Sequence, residues 1–224
     1  MNNSLDHTAL LHLLHLVSPA LPVGAYAYSQ GFEYAVERGW VSDDISAEQW
    51  IAGVLRYNLG RLDLPVLARC VVADDQTVLL NWNRFLIAAR ETAEFELEDT
   101  QMGQALLRLL QSLEIPGALQ WPGGEKTSFA TQFAIVGRHW QIEPTSLLHG
   151  FAWSWLENQV AAATKLVPLG QTRAQQMLVS LLPVVKDVVA SANHVKENDL
   201  GAGLPGLIMA SMQHETQYSR LFRS

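Results

Sequence analysis

The chain of 224 residues has a single cysteine, Cys70, so no disulfide can form within it. That usage leads us to expect a reducing compartment, and a cytoplasmic location is the expectation carried forward. Charge is also scarce. Asp, Glu, Lys and Arg together make up 17% of the residues, with a formal net charge of −7. No run of basic residues occurs, which argues against a nucleic-acid partner, because phosphate binding needs clustered Lys and Arg. Apolar stretches are broken by His, Ser, Asp or Pro well short of 18 residues, so no membrane span and no membrane partner is expected. The opening Met-Asn-Asn-Ser-Leu-Asp-His-Thr has no basic region ahead of an apolar one and does not read as a secretory leader.

Motifs of chemistry are missing too. Residues 123–128, Gly-Gly-Glu-Lys-Thr-Ser, superficially suggest a phosphate loop. Glu125, however, separates Gly124 from Lys126, and the position five before Gly124 is Leu119. The backbone cradle such a loop requires cannot form, and a surface turn is expected. His12 and His15 lie three apart but are embedded in leucines with no third ligand nearby, so packing or an exposed polar position is the reading for both. His194 with Glu197 and His214 with Glu215 are no stronger. No cofactor, no metal site and no catalytic residue is expected.

What the chain does have is helical periodicity. Apolar residues make up 49% of it, enough for one well-packed core. Leu10, Leu13, Leu14 and Val17 share one face of a first helix, with Ser4 as its cap and Pro19 beyond its end. Phe32, Ala35 and Val36 begin a second, closed by Gly39. Ser46-Ala-Glu-Gln49 reads as a capping box for a third, and Leu64-Pro65 opens a fourth. Residues 77–114 form one long helix or two joined ones, and residues 116–124 break the chain. Phe129, Phe133 and Val136 fit a helix, although the alternation Phe129, Thr131, Phe133, Ile135 fits a strand as well. Helices are expected at about 145–163, 171–193 and 204–217, with Pro183 kinking or splitting the second of these. The expected fold is all-α: a single globular domain over residues 1–224, of about ten helices.

Three stretches invite a functional reading. Residues 18–40 run from a Pro-Gly turn through Tyr26, Tyr28, Ser29, Gln30 and Glu33 into a helix, and the polar members suit an interface better than an active site. Glu91, Glu94 and Glu98 fall on one helical face, either a solvated surface or a docking face. The tail, residues 214–224, gathers Tyr218, Arg220, Leu221, Phe222 and Arg223, types suited to interface anchors. A tail folded back on its own domain is one reading. Because a short segment cannot easily bury these groups there, the reading carried forward is a tail mobile when free and ordered on a partner. Lys165, between an alanine-rich helix and a proline turn, is a further contact candidate.

Taken in order and spacing, several separated stretches carry a resemblance over nearly the whole chain. They are Ser18-Pro-Ala-Leu-Pro-Val-Gly24 with Tyr28-Ser-Gln-Gly31 and Glu33, then Asp63-Leu-Pro65, Arg90-Glu-Thr92 with Glu94, and Gln101-Met-Gly103. Pro168-Leu-Gly-Gln-Thr172 and the terminal His214-Glu-Thr-Gln-Tyr-Ser-Arg-Leu-Phe-Arg-Ser224 complete the set. The sequence resembles the UreF family of urease accessory proteins. The resemblance implies a non-catalytic co-chaperone for nickel insertion. It would bind a UreD- or UreH-type scaffold and a UreG-type GTPase, act on apo-urease through that complex, and form a homodimer. The partner contacts would then fall at Tyr26, Tyr28, Ser29, Gln30, Glu33, Glu94, Lys165, Tyr218, Arg220, Leu221, Phe222 and Arg223. The alternative left open by the residues alone is a small all-α enzyme with an unrecognised site.

Overall fold

A computed structural model describes residues 7–201 and 203–224. Among these residues there are eleven α-helices and no strand. In chain order they are α1 (His7–Leu16), α2 (Phe32–Glu37), α3 (Asp44–Val54), α4 (Asp63–Val71), α5 (Gln76–Ala88) and α6 (Ala93–Ser112). Then follow α7 (Pro116–Leu119), α8 (Phe129–His139), α9 (Pro144–Leu166), α10 (Gln171–Ala192) and α11 (Pro205–His214). The cap proposed at Ser4 lies outside the described residues. No described helix is long and apolar enough to cross a membrane.

Local chemistry sets the helix boundaries. The capping box of α3 stands three residues earlier than the sequence suggested. Asp43 is the N-cap and accepts from the Ser46 backbone N–H at 2.8 Å, while the Ser46 hydroxyl accepts from the Asp43 N–H at 3.1 Å. Asp43 therefore takes the role given to Ser46, because an aspartate three residues ahead of a serine completes the same reciprocal pair. Residues 77–114 are two helices, since Thr92 turns the chain and caps α6 by accepting from the Phe95 N–H. Pro183 does not split α10. It lies on the exposed side of a continuous helix, where solvent is available to the carbonyl that loses its partner.

The core is one large cluster to which nearly every helix contributes. The long helices α9 and α10 pack along each other, and α8 lies between α4 and α6. Residues 130–137 of α8 are all buried, so this helix is surrounded by protein. His12 stacks on Trp140 with ring centroids 4.5 Å apart, a packing role. Cys70 is buried in the same core, and burial pushes its thiol up to about 12. In residues 123–128, Glu125 accepts from Arg84, Lys126 pairs with Glu96, and Ser128 caps α8.

Candidate functional site

The residues singled out from the sequence converge on one place, where the C-terminal segment crosses α2 and α6. Three acids project there. Glu33 comes from the first turn of α2, and Glu94 and Glu98 come from the first two turns of α6. All three are buried. Glu91 does not join them, because it precedes the first residue of α6 and is exposed. The solvated or docking face expected for this acidic run is therefore corrected. Glu94 and Glu98 face inward and are met by the tail, whereas Glu96 pairs with Lys126.

The tail is a folded strap, which corrects the expectation of mobility. Glu33 accepts from the backbone N–H groups of Leu221 (2.7 Å) and Phe222 (2.8 Å). His214, fully buried at the end of α11, bridges the acids: Nδ1 lies 3.0 Å from both Glu94 oxygens and Nε2 lies 3.3 Å from Glu33 Oε2. Arg220 donates to Glu94 Oε1 at 3.1 Å. The Ser224 hydroxyl donates to Glu98 Oε2 at 2.8 Å, and the Ser224 main-chain oxygen accepts from the Ser29 and Gln30 N–H groups and from the Ser29 hydroxyl. Phe222 is buried, with the Lys165 ammonium 5.3 Å from its ring centre. The strap thus satisfies its backbone through carboxylates and keeps most of its charged ends outside, which resolves the cost that a tail of this composition would otherwise meet.

The turn that receives the strap is held in an unusual conformation. Gln30 has φ 56° and Gly31 φ 75°. A non-glycine residue in this region costs on the order of 1 kcal/mol and needs surrounding contacts to persist. Those contacts are present: Gln30 donates to Glu98 Oε1 at 2.7 Å and accepts from the Trp155 indole at 2.8 Å. Gly31 brings α2 against α11, where an added Cβ would stand 3.1 Å from the Ala210 methyl.

Of the twelve predicted contact residues, the structure buries Tyr28, Ser29, Glu33, Glu94 and Phe222 and half-buries Gln30. The Tyr28 hydroxyl donates to Gln101 Oε1 at 2.7 Å. Tyr26, Lys165, Tyr218, Leu221, Arg220 and Arg223 are exposed. Sequence reasoning noted Glu98 and His214 but not that they lock the strap with Ser224, and it missed the buried ion triad behind it. In that triad Arg90 donates to Asp63 at 2.6 Å and to Asp99 at 3.0 Å. Burial acts to lower the Arg90 pKa, but the two carboxylates outweigh it and the pKa is raised. The triad and Glu98 line one end of an otherwise largely apolar cavity of about 320 Å³, walled by Val17, Val23, Phe129 and Phe151. The triad residues lie in or near the Asp63-Leu-Pro and Arg90-Glu-Thr stretches that carried the resemblance, but nothing in the sequence pairs them.

The titrations have a definite sign. Burial pushes the Glu98 carboxyl up to about 7, against the smaller downward pull of Gln30, Ser224 and Arg90. Burial works to lower the His214 pKa, yet hydrogen bonds and charge from Glu94 and then Glu33 outweigh it, and the pKa is raised. Both groups bind protons more tightly folded than unfolded, so their contribution is complete below the unfolded value and is lost as pH rises through the folded one. For Glu98 that window runs from its ordinary 4.5 to about 7. Glu98→Gln, which keeps an acceptor and cannot ionise, should remove on the order of 3 kcal/mol of the fall in stability across that window. Thermal melts of both proteins between pH 5 and 8 check this. Equal pH slopes would contradict it.

A family model described as UreF matches residues 41–182. "Urease accessory protein UreF" of Teredinibacter turnerae is 56% identical, with all of both chains covered. The protein of the same name from Hahella chejuensis is 48% identical over 96% of this chain and 98% of its own, and that from Marinomonas sp. is 49% identical over 96% and 94%.

Proposed function

The chain belongs to the UreF family of urease accessory proteins, and from that premise we propose that it is a non-catalytic co-chaperone for nickel insertion. In this reading it works in the cytoplasm as a homodimer. It joins a UreD- or UreH-type scaffold to a UreG-type GTPase and modulates GTP-dependent nickel delivery to apo-urease. The observation that carries the reading is the strap. An ordered segment that buries Phe222 while holding Tyr218 fully and Leu221 largely in solvent is poised as a docking surface. Aromatic side chains are enriched at interface hot spots, and Tyr218 is the most exposed large apolar side chain among the described residues. Arg220, Arg223, Lys165 and Tyr26 supply polar contacts around them. Among the described residues no group of three His, Cys, Asp or Glu side chains is placed to hold a metal ion.

Tyr218→Ala with Leu221→Ala should weaken capture of the UreD/UreH-type partner at least about tenfold, or 1.4 kcal/mol. Stability should change by no more than about 0.5 kcal/mol, because both side chains are exposed. Pull-downs with the accessory proteins, with and without GTP, and urease activation in cells lacking the native chain provide the readouts. Unchanged capture and activation would remove the strap from the docking surface. Light scattering should give twice the chain mass.

A further inference from the structure

A second cleft lies on the other side of the turn at residues 23–28, against the middle of α6 and the turn at residues 126–127. Its volume is about 460 Å³. Arg108, Lys126 and Arg223 all line it, together with the amides of Gln101 and Gln104. These are three of the chain's fifteen cationic side chains, gathered in one concavity of a molecule with net charge −7. One internal acid meets one of them. Lys126 is paired with Glu96 at 2.6 Å. Arg108 has no hydrogen bond or ion pair with any described residue, and Arg223 meets the uncharged Tyr28 hydroxyl. Glu98 lies behind Tyr28, engaged by Gln30 and Ser224. Tyr28 donates its proton to Gln101 Oε1, which fixes that amide with its N–H₂ end available as a donor. The cleft therefore presents guanidinium, ammonium and amide donors and little to accept from a ligand.

We propose that this cleft is a binding site for a multivalent oxyanion of the phosphate type. Guanidinium forks and amide N–H groups match the geometry of tetrahedral or planar oxyanions. Concave walls keep water from screening the cations as fully as on a flat surface. One cation in water would hold an anion only weakly. Convergence of three, with a single acid already committed to one of them, leaves a charge that an external anion neutralises. The inference does not depend on the urease reading, and its test needs neither urease nor its accessory proteins. Carboxylates on an acidic partner segment are the competing occupant, and the experiment includes them as the contrary outcome.

The test is calorimetric titration of the full chain in low-salt, phosphate-free buffer with inorganic phosphate and, separately, with hexaglutamate. One saturable site is expected for phosphate, weakened severalfold on raising sodium chloride tenfold. Arg108→Gln with Lys126→Gln should lose at least tenfold in affinity while melting at the same temperature. Arg108→Glu alone, at an exposed position, should do the same and guards against a folding defect in the pair. Phosphate is expected to bind more tightly than hexaglutamate; tighter binding of hexaglutamate would assign the cleft to an acidic segment of a partner and overturn the proposal. No binding of either probe, or binding that survives both variants, overturns the proposal.

Discussion

Glu33→Ala should destabilise the protein by about 3 kcal/mol, since it removes the acceptor of two buried backbone N–H groups and one flank of His214. Each unsatisfied buried donor costs about 1–3 kcal/mol, and charge-assisted bonds lie at the upper end. For a chain of this size that corresponds to a drop of roughly 6–12 °C in Tm. Glu33→Gln keeps a neutral acceptor and should fall between the variant and the parent. A thermal melt and a denaturant titration measure both. A Tm within a degree of the parent would mean that Glu33 is a surface group, and the strap would lose its main anchor.

The second large effect is expected at Arg90. This side chain joins Asp63 of α4 to Asp99 of α6, and Asp99 also accepts from the Phe129 N–H at the start of α8. All three charges are buried or nearly so. The pair's net contribution over an apolar replacement is small, because desolvation offsets the Coulomb gain. Breaking it from one side is different. Arg90→Ala leaves two carboxylates without a cation and should cost about 3–5 kcal/mol. Burial already raises the Asp99 pKa, with Arg90 pulling against it. Without the guanidinium that opposition is gone, so the variant should regain stability as pH falls and the carboxyls protonate. Replacing Arg90 by Met together with Asp63→Asn and Asp99→Asn should recover most of the loss. A single variant as stable as the parent at pH 7 would show that solvent reaches the triad.

Much of the helical architecture was legible in the sequence because amphipathic helices advertise their buried face. In α10 the buried residues Met177, Leu181, Val184, Val185, Val188 and Val189 recur at three- and four-residue spacing. The ambiguity over α8 had a physical source: a helix buried on all sides carries no contrast between faces, so an apolar alternation imitates a strand. The site was half legible. Tyr28, Ser29 and Glu33 were singled out in one stretch and Glu94 in another, and the structure brings them together with the tail. Their direction was misjudged. Sequence periodicity places Glu94 and Glu98 on one face of α6 but cannot say that residues more than a hundred positions away supply His214, Arg220 and the Ser224 hydroxyl to meet them. Long-range pairing converts a solvated charge pattern into a buried one. It is also why His214, one of several isolated histidines in the sequence, turns out to be the bridge between two acids.

The account stands on the strap being part of the folded protein, anchored by carboxylates beneath it and displaying Tyr218 and Leu221 above. Native-state amide hydrogen exchange of the isolated full-length chain, read at Leu221 and Phe222, tests this most directly. Both N–H groups are held by Glu33, so exchange slowed by a factor of a hundred or more against the unstructured rate is expected, equivalent to an opening free energy of about 2.7 kcal/mol or more. Glu33→Ala should abolish that protection. Exchange of these two amides at the unstructured rate in the parent protein would contradict the account, and the tail would then be a free segment awaiting its partner.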